Sequence, residues 1–567
     1  IIETVTYAVD PYANSVSVNG DKGYVLDINE KSTKPIGFTN HPIPILSEKD
    51  DSIIYEMHIR DFTIDESSGV INDLRGTYLG TVEENTIYKN PYNGKCVKTG
   101  IDHLCELGIT HVHLMPIFDF GSVDERFPGS NNRNWGYDPK NFNVPEGSYC
   151  SNPYNPVTRI LELRQMIMKF HERGIRVVMD MVYNHMMSTV NMDNIVPGYY
   201  FRSDYLGRYT NGSGCGNELA SERPMVRKFI IDSCLHWIKD YKIDGIRFDL
   251  MELLDIDTTK EIVKKTTKLD KNFLIYGEPW KGGSSPLVNG TYKGSQKNEN
   301  FSIFNDTFRD AIRGNNHPSS GFINGNQYSS ICNWSIIEGL KGSIYTITSN
   351  PHDNYTLWDQ VEKSQNQSIK FGEFRFNIPD YPLNSNLVKQ DLLGMAIIFT
   401  AQGIPFIQSG SEFLKTKQGD HNSYKSNDYI NSIKWSDKER FIDVFKYNKG
   451  LIEIRKNLPH FKIKDPKIIK SNATFIFGGN NESCGVLLQH INLNDFGKGE
   501  VLVIYNGTNI ENYNVTSYAP LAQNGYWNII ANESTAGMKV LNTIYNNQIP
   551  ALRAFSIMIL CSNLNLN

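Results

Sequence analysis

Three stretches of this chain repeat one plan, an amphipathic helical pattern followed by a short strand pattern that is apolar without interruption. They are TGIDHLCELGITHVHLMPIF (99–118), PVTRILELRQMIMKFHERGIRVVMDMVYNH (156–185) and MVRKFIIDSCLHWIKDYKIDGIRFDL (225–250). In the second, Ile160, Leu163, Ile167 and Phe170 share one helical face, Gly174 suits the left-handed residue beyond a helix end, and IRVVMDMV is a continuous apolar strand. In the third, Val226, Ile230, Cys234 and Trp237 face inward. A strand apolar on both sides must be covered on both sides, and a helix between consecutive strands makes them parallel. SIIYEMHIRDF, NFLIYGEPW, SIYTITSNPHDN and GIPFIQSGSEF add strands that each end in polar residues. These units suffice to close a (β/α)8 barrel, an α/β fold whose functional site lies at the strand C-terminal ends.

The alternation spans about 51–461, the expected barrel domain. Residues 1–50 carry β-like Val, Ile and Tyr runs, with NGDKG as a turn and the Pro-rich HPIPIL at the end. So short a segment is a poor independent domain, so it reads as the tail of a β-module or a strand set packed on the barrel. Beyond 462, TFIFGG, CGVLLQH, VLVIYNGT, YWNIIA and AFSIMILC are short strands at turn-rich intervals, expected as a C-terminal antiparallel β-sandwich over 462–567. A total of 567 residues accommodates such a multidomain plan.

The net charge of −5 and the absence of any dense Lys/Arg run argue against nucleic acid or an anionic membrane as partner. The eight cysteines are scattered without a C-x-x-C pair and read as reduced, mostly core residues. The longest apolar region, LLGMAIIFTAQGIPFIQSG, is too mixed to span a membrane. The opening IIETVTYAVDPYANSVSV lacks a basic segment followed by an apolar one, so no signal peptide is expected in it, and there is no initiator Met. A longer natural chain is the expectation, with the compartment open between cytoplasmic and secreted.

Four strand ends carry charged or polar side chains, each of which also has a purely structural explanation. DMVYNH ends with Asp180, Asn184 and His185; DGIRFDL contributes Arg247 and Asp249; YGEPW contributes Glu278, followed by Trp280; SNPHDN contributes His352 and Asp353. Arg247 and Asp249 stand two apart, so on a strand they share a face, where a guanidinium keeps a carboxylate ionised. That pair also fits a structural salt bridge, Asp180 a brace, His185 a hydrogen-bonded structural histidine, Glu278 a loop carboxylate, and His352 with Asp353 a plain turn. In a barrel, however, all four ends converge on one pocket. A pair of carboxylates, one ionised and one protonated, is the equipment for glycoside hydrolysis. No Ser-His-Asp elbow, phosphate-cradling loop or dinucleotide fingerprint competes.

In order, DMVYNH, DGIRFDL, YGEPW and NPHDN resemble the four short motif regions of the α-amylase superfamily, glycoside hydrolase family 13. NWGYDP (134–139), FNDTFRDAIRG and GIPFIQSGSEFLKTKQGDHNSYKSNDYINSIKW resemble its type I pullulanase branch, and DPYANSVSVNG resembles the end of the starch-binding-type β-module that precedes pullulanase barrels. The resemblance covers nearly the whole chain. It implies that Asp249 is the nucleophile, Glu278 the general acid and base, and Asp353 a stabiliser of the oxocarbenium-like transition state. It also implies that His185 and His352 bind sugar hydroxyls, that Tyr137 stacks beneath the sugar with Asp138 of the same motif alongside, that Arg247 and Asp180 support the site, and that Trp280 shapes the neighbouring subsite. The mechanism implied is double displacement with retention, acting on α-1,6 branch linkages of pullulan, amylopectin and limit dextrins, which needs the Asp249 and Glu278 carboxyls about 5–5.5 Å apart. Rival readings are an α-1,4-acting amylase or neopullulanase, an isoamylase-like enzyme, and a non-catalytic carbohydrate-binding relative. The resemblance implies an α-glucan partner, a monomer, no organic cofactor, and a structural Ca²⁺ in the region of Asn184, where a capping or hydrogen-bonding role fits equally. Arg133 stands where the branch usually has Tyr before NWGYDP, which bears on the subsite wall.

Overall fold

The computed structural model describes residues 6–129, 131–315, 319–342, 346–350 (backbone), 352–375 and 378–564. Eight parallel strands close into a barrel in chain order: β1 (Ile54–Met57), β2 (His111–Leu114), β3 (Arg176–Met181), β4 (Gly245–Phe248), β5 (Leu274–Gly277), β6 (Ser302–Phe304), β7 (Thr346–Asn350) and β8 (Ile404–Gln408). Closure pairs Ile54 with Phe406 and Glu56 with Gln408 across β1 and β8. Alternation along each strand divides the side chains. Ile54, Val178, Leu274, Tyr276, Phe304, Ile404 and Phe406 fill the interior as one apolar cluster, while Tyr55, Val112, Val177, Met179, Ile246, Ile275 and Ile407 point outward into the core beneath the helices.

The helices form where the 3.6-residue pattern places them. Pro156–Glu172 begins with Asn155 accepting from the Val157 N–H, has Pro at its first position, and is followed by Gly174 at φ +74°. Its Ile160, Leu163, Ile167 and Phe170 are fully buried, each contributing about 1.5–3 kcal/mol of gross apolar burial. Pro224–Tyr241 likewise buries Val226, Ile230, Cys234 and Trp237. Between β5 and β6 no helix forms, because KGGSSPLVNG and its neighbours offer Gly, Ser and Asn in place of an apolar stripe. SIIYEMHIRDF reads as a strand throughout, yet the strand stops at Met57 and Ile59–Thr63 is helical, capped by His58 Nδ1 accepting from the Asp61 N–H at 3.3 Å.

The segment 6–50 departs from expectation. Its Val, Ile and Tyr runs form no strand among the described residues, only 3₁₀ turns and an isolated Val16–Gly23 bridge. With no partner strand in reach, its few apolar side chains pack singly, Val9 and Val16 against Val144 and Phe38 under the Arg164 guanidinium. The C-terminal part also differs: in place of a two-sheet sandwich it forms one six-stranded antiparallel sheet. Its strands are β9 (Ala473–Phe477), β10 (Val486–Asn492), β11 (Glu500–Asn506), β12 (Tyr526–Ala531), β13 (Asn542–Tyr545) and β14 (Ser556–Ser562), in the order β9-β10-β11-β14-β12-β13. One face joins the main core through Leu487, Val501, Val503, Tyr505 and Ile559. The other is covered by Val515, Ala522, Ile549 and Leu552, so loops supply the second layer. The apolar run expected to stay out of a membrane divides into the end of the helix Asn386–Thr400, buried between barrel and sheet with Thr400 Oγ1 2.8 Å from Tyr505 Oη, and strand β8. No helix among the described residues is long and apolar enough to cross a membrane. Cys150, Cys234, Cys332 and Cys561 are buried, Cys105 and Cys484 half-buried, and Cys96 and Cys215 exposed, all as free thiols.

Candidate active site

At the C-terminal mouth of the barrel the interior turns from apolar to charged. Asp180 pairs with Arg247 in the β3–β4 register, and Arg247 with Tyr276 in the β4–β5 register, so these three point inward side by side. Arg247 is 1% exposed and is the hub of the site. Its Nη1 donates to Asp180 Oδ1 at 2.9 Å and to Asp249 Oδ1 at 2.8 Å. Its Nη2 lies 2.6 Å from Glu278 Oε1. One guanidinium therefore spans the carboxyls of Asp249 and Glu278 and sets how far apart they stand.

Local backbone supports this arrangement. Leu250, directly after Asp249, adopts φ +40°, a strained conformation for a residue with a Cβ, and its N–H reaches Glu278 Oε2 at 3.0 Å. The Asn184 amide donates to the Asp249 carbonyl at 3.0 Å and to Asp249 Oδ2 at 2.8 Å, while its Oδ1 lies 2.5 Å from His185 Nδ1. Gly136 at φ +93° packs so closely on Phe120 that a Cβ would come within 2.7 Å. That turn lets both Trp135 and Tyr137 reach His352, Trp135 edge-on at 4.7 Å and Tyr137 stacked at 5.2 Å. Tyr137 Oη also donates to Asp180 Oδ2 at 2.7 Å.

The structure thus joins Asp180, Arg247, Asp249, Glu278, Tyr137 and His352 directly, with His185 attached through Asn184. Asp353 lies next to His352, its Oδ1 3.7 Å from the ring Nε2, and at 45% side-chain exposure is the most open of the site carboxylates. Trp280 is half-buried against the barrel interior. Asp138 accepts from Ser122 Oγ at 2.8 Å. Asn350 and Pro351 of the fourth motif lie outside the residues with described side chains.

Burial and charge divide the carboxyls into different roles. Asp180 is fully buried, which alone would raise it, yet the charges of Arg247 and His113 hold it at about 2. Burial lifts Glu278 to about 8, against the pull of Arg247 and with the added push of Asp249 and Asp353. Burial also raises Asp249, opposed by Arg247 and the Asn184 hydrogen bond. The proton the pair holds near neutrality therefore belongs on Glu278, the more strongly raised of the two. His185 is pushed down to about 4 by burial. His352, though buried, is held up at about 9 by Glu56 and Asp353.

Several residues in this network stand outside the four short motif regions. Glu56 lies near the end of β1 and its Oε1 is 2.8 Å from His352 Nδ1. Lys417 donates to the His352 carbonyl at 2.9 Å and sits over the Trp135 ring. His113 joins Tyr276 Oη at 2.9 Å and Asp180 at 3.2 Å. The cue for Glu56 and His113 was a charged or polar residue at an inward position of an otherwise apolar strand. Arg133 forms no subsite wall. It is 4% exposed and clamps Asp61, with Nε donating to Oδ1 at 2.7 Å and Nη2 to Oδ2, while Nη1 donates to the carbonyls of Ser423 and Tyr424.

The calcium expectation finds no free oxygen at Asn184, whose Oδ1 is taken by His185 and whose amide faces Asp249. Elsewhere, Asp119, Glu125 and Glu146 bring three buried carboxylate oxygens within 4.8 Å of one another. Arg159 already occupies that cluster, bonding both Glu125 oxygens at 2.9 and 2.7 Å, and burial raises Asp119 to about 7. The cluster is compensated by its own cation and by protonation, and no chemical step is assigned to it.

A closed parallel barrel whose mouth groups three carboxyls around one arginine, with a histidine-aspartate pair beside them, defines a barrel of the α-amylase class. Residues 94–195 match the α-amylase catalytic domain family. The pullulanase of Bacillus subtilis is 40% identical over 478 residues, 80% of this chain and 62% of that protein. The solved pullulanase of Bacillus acidopullulyticus superposes with a TM-score of 0.87 at 37% identity, covering 99% of this chain and 66% of that one. The pullulanase of Paenibacillus barengoltzii, solved with maltohexaose and α-cyclodextrin, gives a TM-score of 0.83 at 34% identity, covering 98% of this chain and 83% of that one. The chain belongs to the pullulanase branch of glycoside hydrolase family 13. It spans a little under two thirds of the Bacillus relatives' lengths.

Proposed function

We propose that this chain is a retaining glycoside hydrolase that cleaves α-1,6 linkages in pullulan, amylopectin and limit dextrins. The observation that carries the reading is Arg247 in contact with Asp249, Glu278 and Asp180 at the barrel mouth. Residues 51–461 are the catalytic barrel in this reading, 1–50 the closing part of a starch-binding-type module, and 462–567 the C-terminal domain.

In the first step Glu278 gives its proton to the glycosidic oxygen as Asp249 attacks the anomeric carbon, forming a glycosyl ester and freeing the leaving chain. In the second, Glu278, now ionised, takes a proton from water as the water attacks the anomeric carbon and displaces the Asp249 carboxylate, so the product keeps the α configuration. Burial serves both roles by holding the proton on Glu278 until leaving-group departure needs it. Arg247 limits the rise of Asp249, and Asn184 orients the carboxylate. Asp353 and the His352 imidazolium face the sugar hydroxyls, and Asp353 offsets positive charge developing on the ring. Tyr137, fixed by Asp180 and His352, stacks beneath the sugar in the cleaved position, and Trp280 lines the adjoining position. The named relatives support α-glucan as the substrate: the Paenibacillus enzyme is solved with maltohexaose.

Pullulan digestion tests the linkage. Chromatography is expected to show maltotriose alone. Panose or isopanose would overturn the α-1,6 assignment, and no product from pullulan, amylopectin or amylose would overturn the assignment of an enzyme.

A further inference from the structure

A second feature on the same end of the barrel has no part in the chemistry above. Phe371 and Tyr429 are 64% and 59% exposed, with ring centroids 6.1 Å apart and planes tilted by 44°. Phe371 lines a hollow of about 400 Å³ together with Lys363, Gln418, Gly419, Asp420 and Ile430, and Tyr429 stands beside it, against Phe371 and next to Ile430 in the chain. We propose that this hollow is a secondary α-glucan-binding platform, in which the two rings stack on the apolar faces of glucose residues and the polar side chains meet hydroxyls at their edges. The proposal rests on the reading of the chain as an α-glucan hydrolase.

The hollow is built rather than incidental. Gly419, at φ +75°, packs against Phe374 so tightly that a Cβ would lie 2.6 Å from its ring. The Asp359 carboxylate accepts from the Lys417 N–H at 2.8 Å, the Gly419 N–H at 3.3 Å and the Thr416 hydroxyl. Gln418 Oε1 accepts from the Gly372 N–H at 3.0 Å, which fixes the loop under Phe371 and leaves its amide hydrogens to the hollow. Tyr429 sits on the short helix Asp428–Asn431, which Arg60 holds to the barrel by a bidentate pair with Asp428. Lys434 covers one face of the Tyr429 ring at 5.5 Å. Exposed aromatic faces held rigidly beside amide and carboxylate groups match the amphipathic faces of glucose.

The hollow is continuous with the catalytic mouth along one loop. Lys417 props His352 through its carbonyl, and the next three residues, Gln418, Gly419 and Asp420, line the hollow. A branched polymer long enough to lie across that loop engages both places, whereas a short oligosaccharide reaches only the cleft.

The test compares wild type with the F371A/Y429A double variant by retention in native gels containing amylopectin and by kinetics on amylopectin and on a short branched maltooligosaccharide. Both substituted side chains are exposed, so the melting temperature is expected to stay unchanged. The proposal predicts lost retention and a KM for amylopectin raised about three- to tenfold, with short-substrate kinetics within twofold of wild type. Unchanged retention would overturn it. Equal losses on both substrates would also overturn it, by placing the rings in the cleft itself. Retention is read without turnover, so a failure of the proposed hydrolase activity is distinguishable from a failure of the platform.

Discussion

Replacing Glu56 by Gln isolates what a buried charge contributes to this site. Glu56 and His352 are 2.8 Å apart, with side chains 2% and 5% exposed. Burial alone would push the imidazole below its ordinary value of 6.5, but Glu56, with help from Asp353, holds it at about 9. The interval from 6.5 to about 9 corresponds to about 3 kcal/mol of preference for the imidazolium. Because the folded value is raised, this stabilisation is complete below pH 6.5 and is lost as pH rises through 9. The magnitude agrees with the ~3–5 kcal/mol typical of removing one partner from a buried ion pair. Urea unfolding at pH 6 is therefore expected to show the Glu56→Gln variant less stable by about 3 kcal/mol, the gap narrowing above pH 9. At pH 7 His352 becomes neutral in the variant and loses a charge-assisted contact to substrate, so kcat/KM is expected to fall about 10- to 100-fold. A stability difference independent of pH, or an unaltered rate at pH 7, would show that Glu56 does not hold the charge on His352.

Other consequences concern the centre and its supports. Asp249→Asn and Glu278→Gln are each expected to lower kcat on pullulan by several orders of magnitude with a circular dichroism spectrum like wild type, and near-normal rates in either would remove that residue from its role. The pH profile of kcat/KM is expected to rise as Asp249 ionises and to fall as Glu278 loses its proton near pH 8. The alkaline limb is expected to disappear in Glu278→Gln assayed on a substrate whose leaving group needs no protonation; persistence of that limb would assign it elsewhere. Arg133→Met leaves Asp61 buried without its cation and is expected to cost about 3–5 kcal/mol in denaturant unfolding, with a normal value showing that the clamp carries no weight.

The barrel was legible because its helices and strands keep strict periods: Ile160, Leu163, Ile167 and Phe170 mark one helical face, and IRVVMDMV is apolar on both sides. The charged strand ends were legible for the same reason, since Asp180, Arg247 and Glu278 interrupt runs that have no other use for charge. What escaped was set by partners remote in sequence. Glu56 meets His352 across nearly 300 residues, and Lys417 meets it from another strand end, so neither bond has a local signature. Arg133 drew notice only for standing where the branch usually has Tyr before NWGYDP; the buried Asp61 that claims it lies on the helix Ile59–Thr63, remote in sequence. The short Val and Ile runs of residues 6–50 show the converse limit, since strand propensity without a neighbouring strand leaves turns and one bridge. Likewise the second layer under the C-terminal sheet is made by loop residues such as Val515 and Leu552, which no period announces.

Double displacement by Asp249 and Glu278 on an α-1,6 bond, the reaction proposed above, has a direct test. Proton NMR of pullulan during the first minutes of digestion reads bond and stereochemistry together. Loss of the α-1,6 anomeric signal with the new reducing ends appearing first as the α-anomer is the expected result. First appearance of the β-anomer, or loss of α-1,4 signals with α-1,6 signals intact, would contradict it.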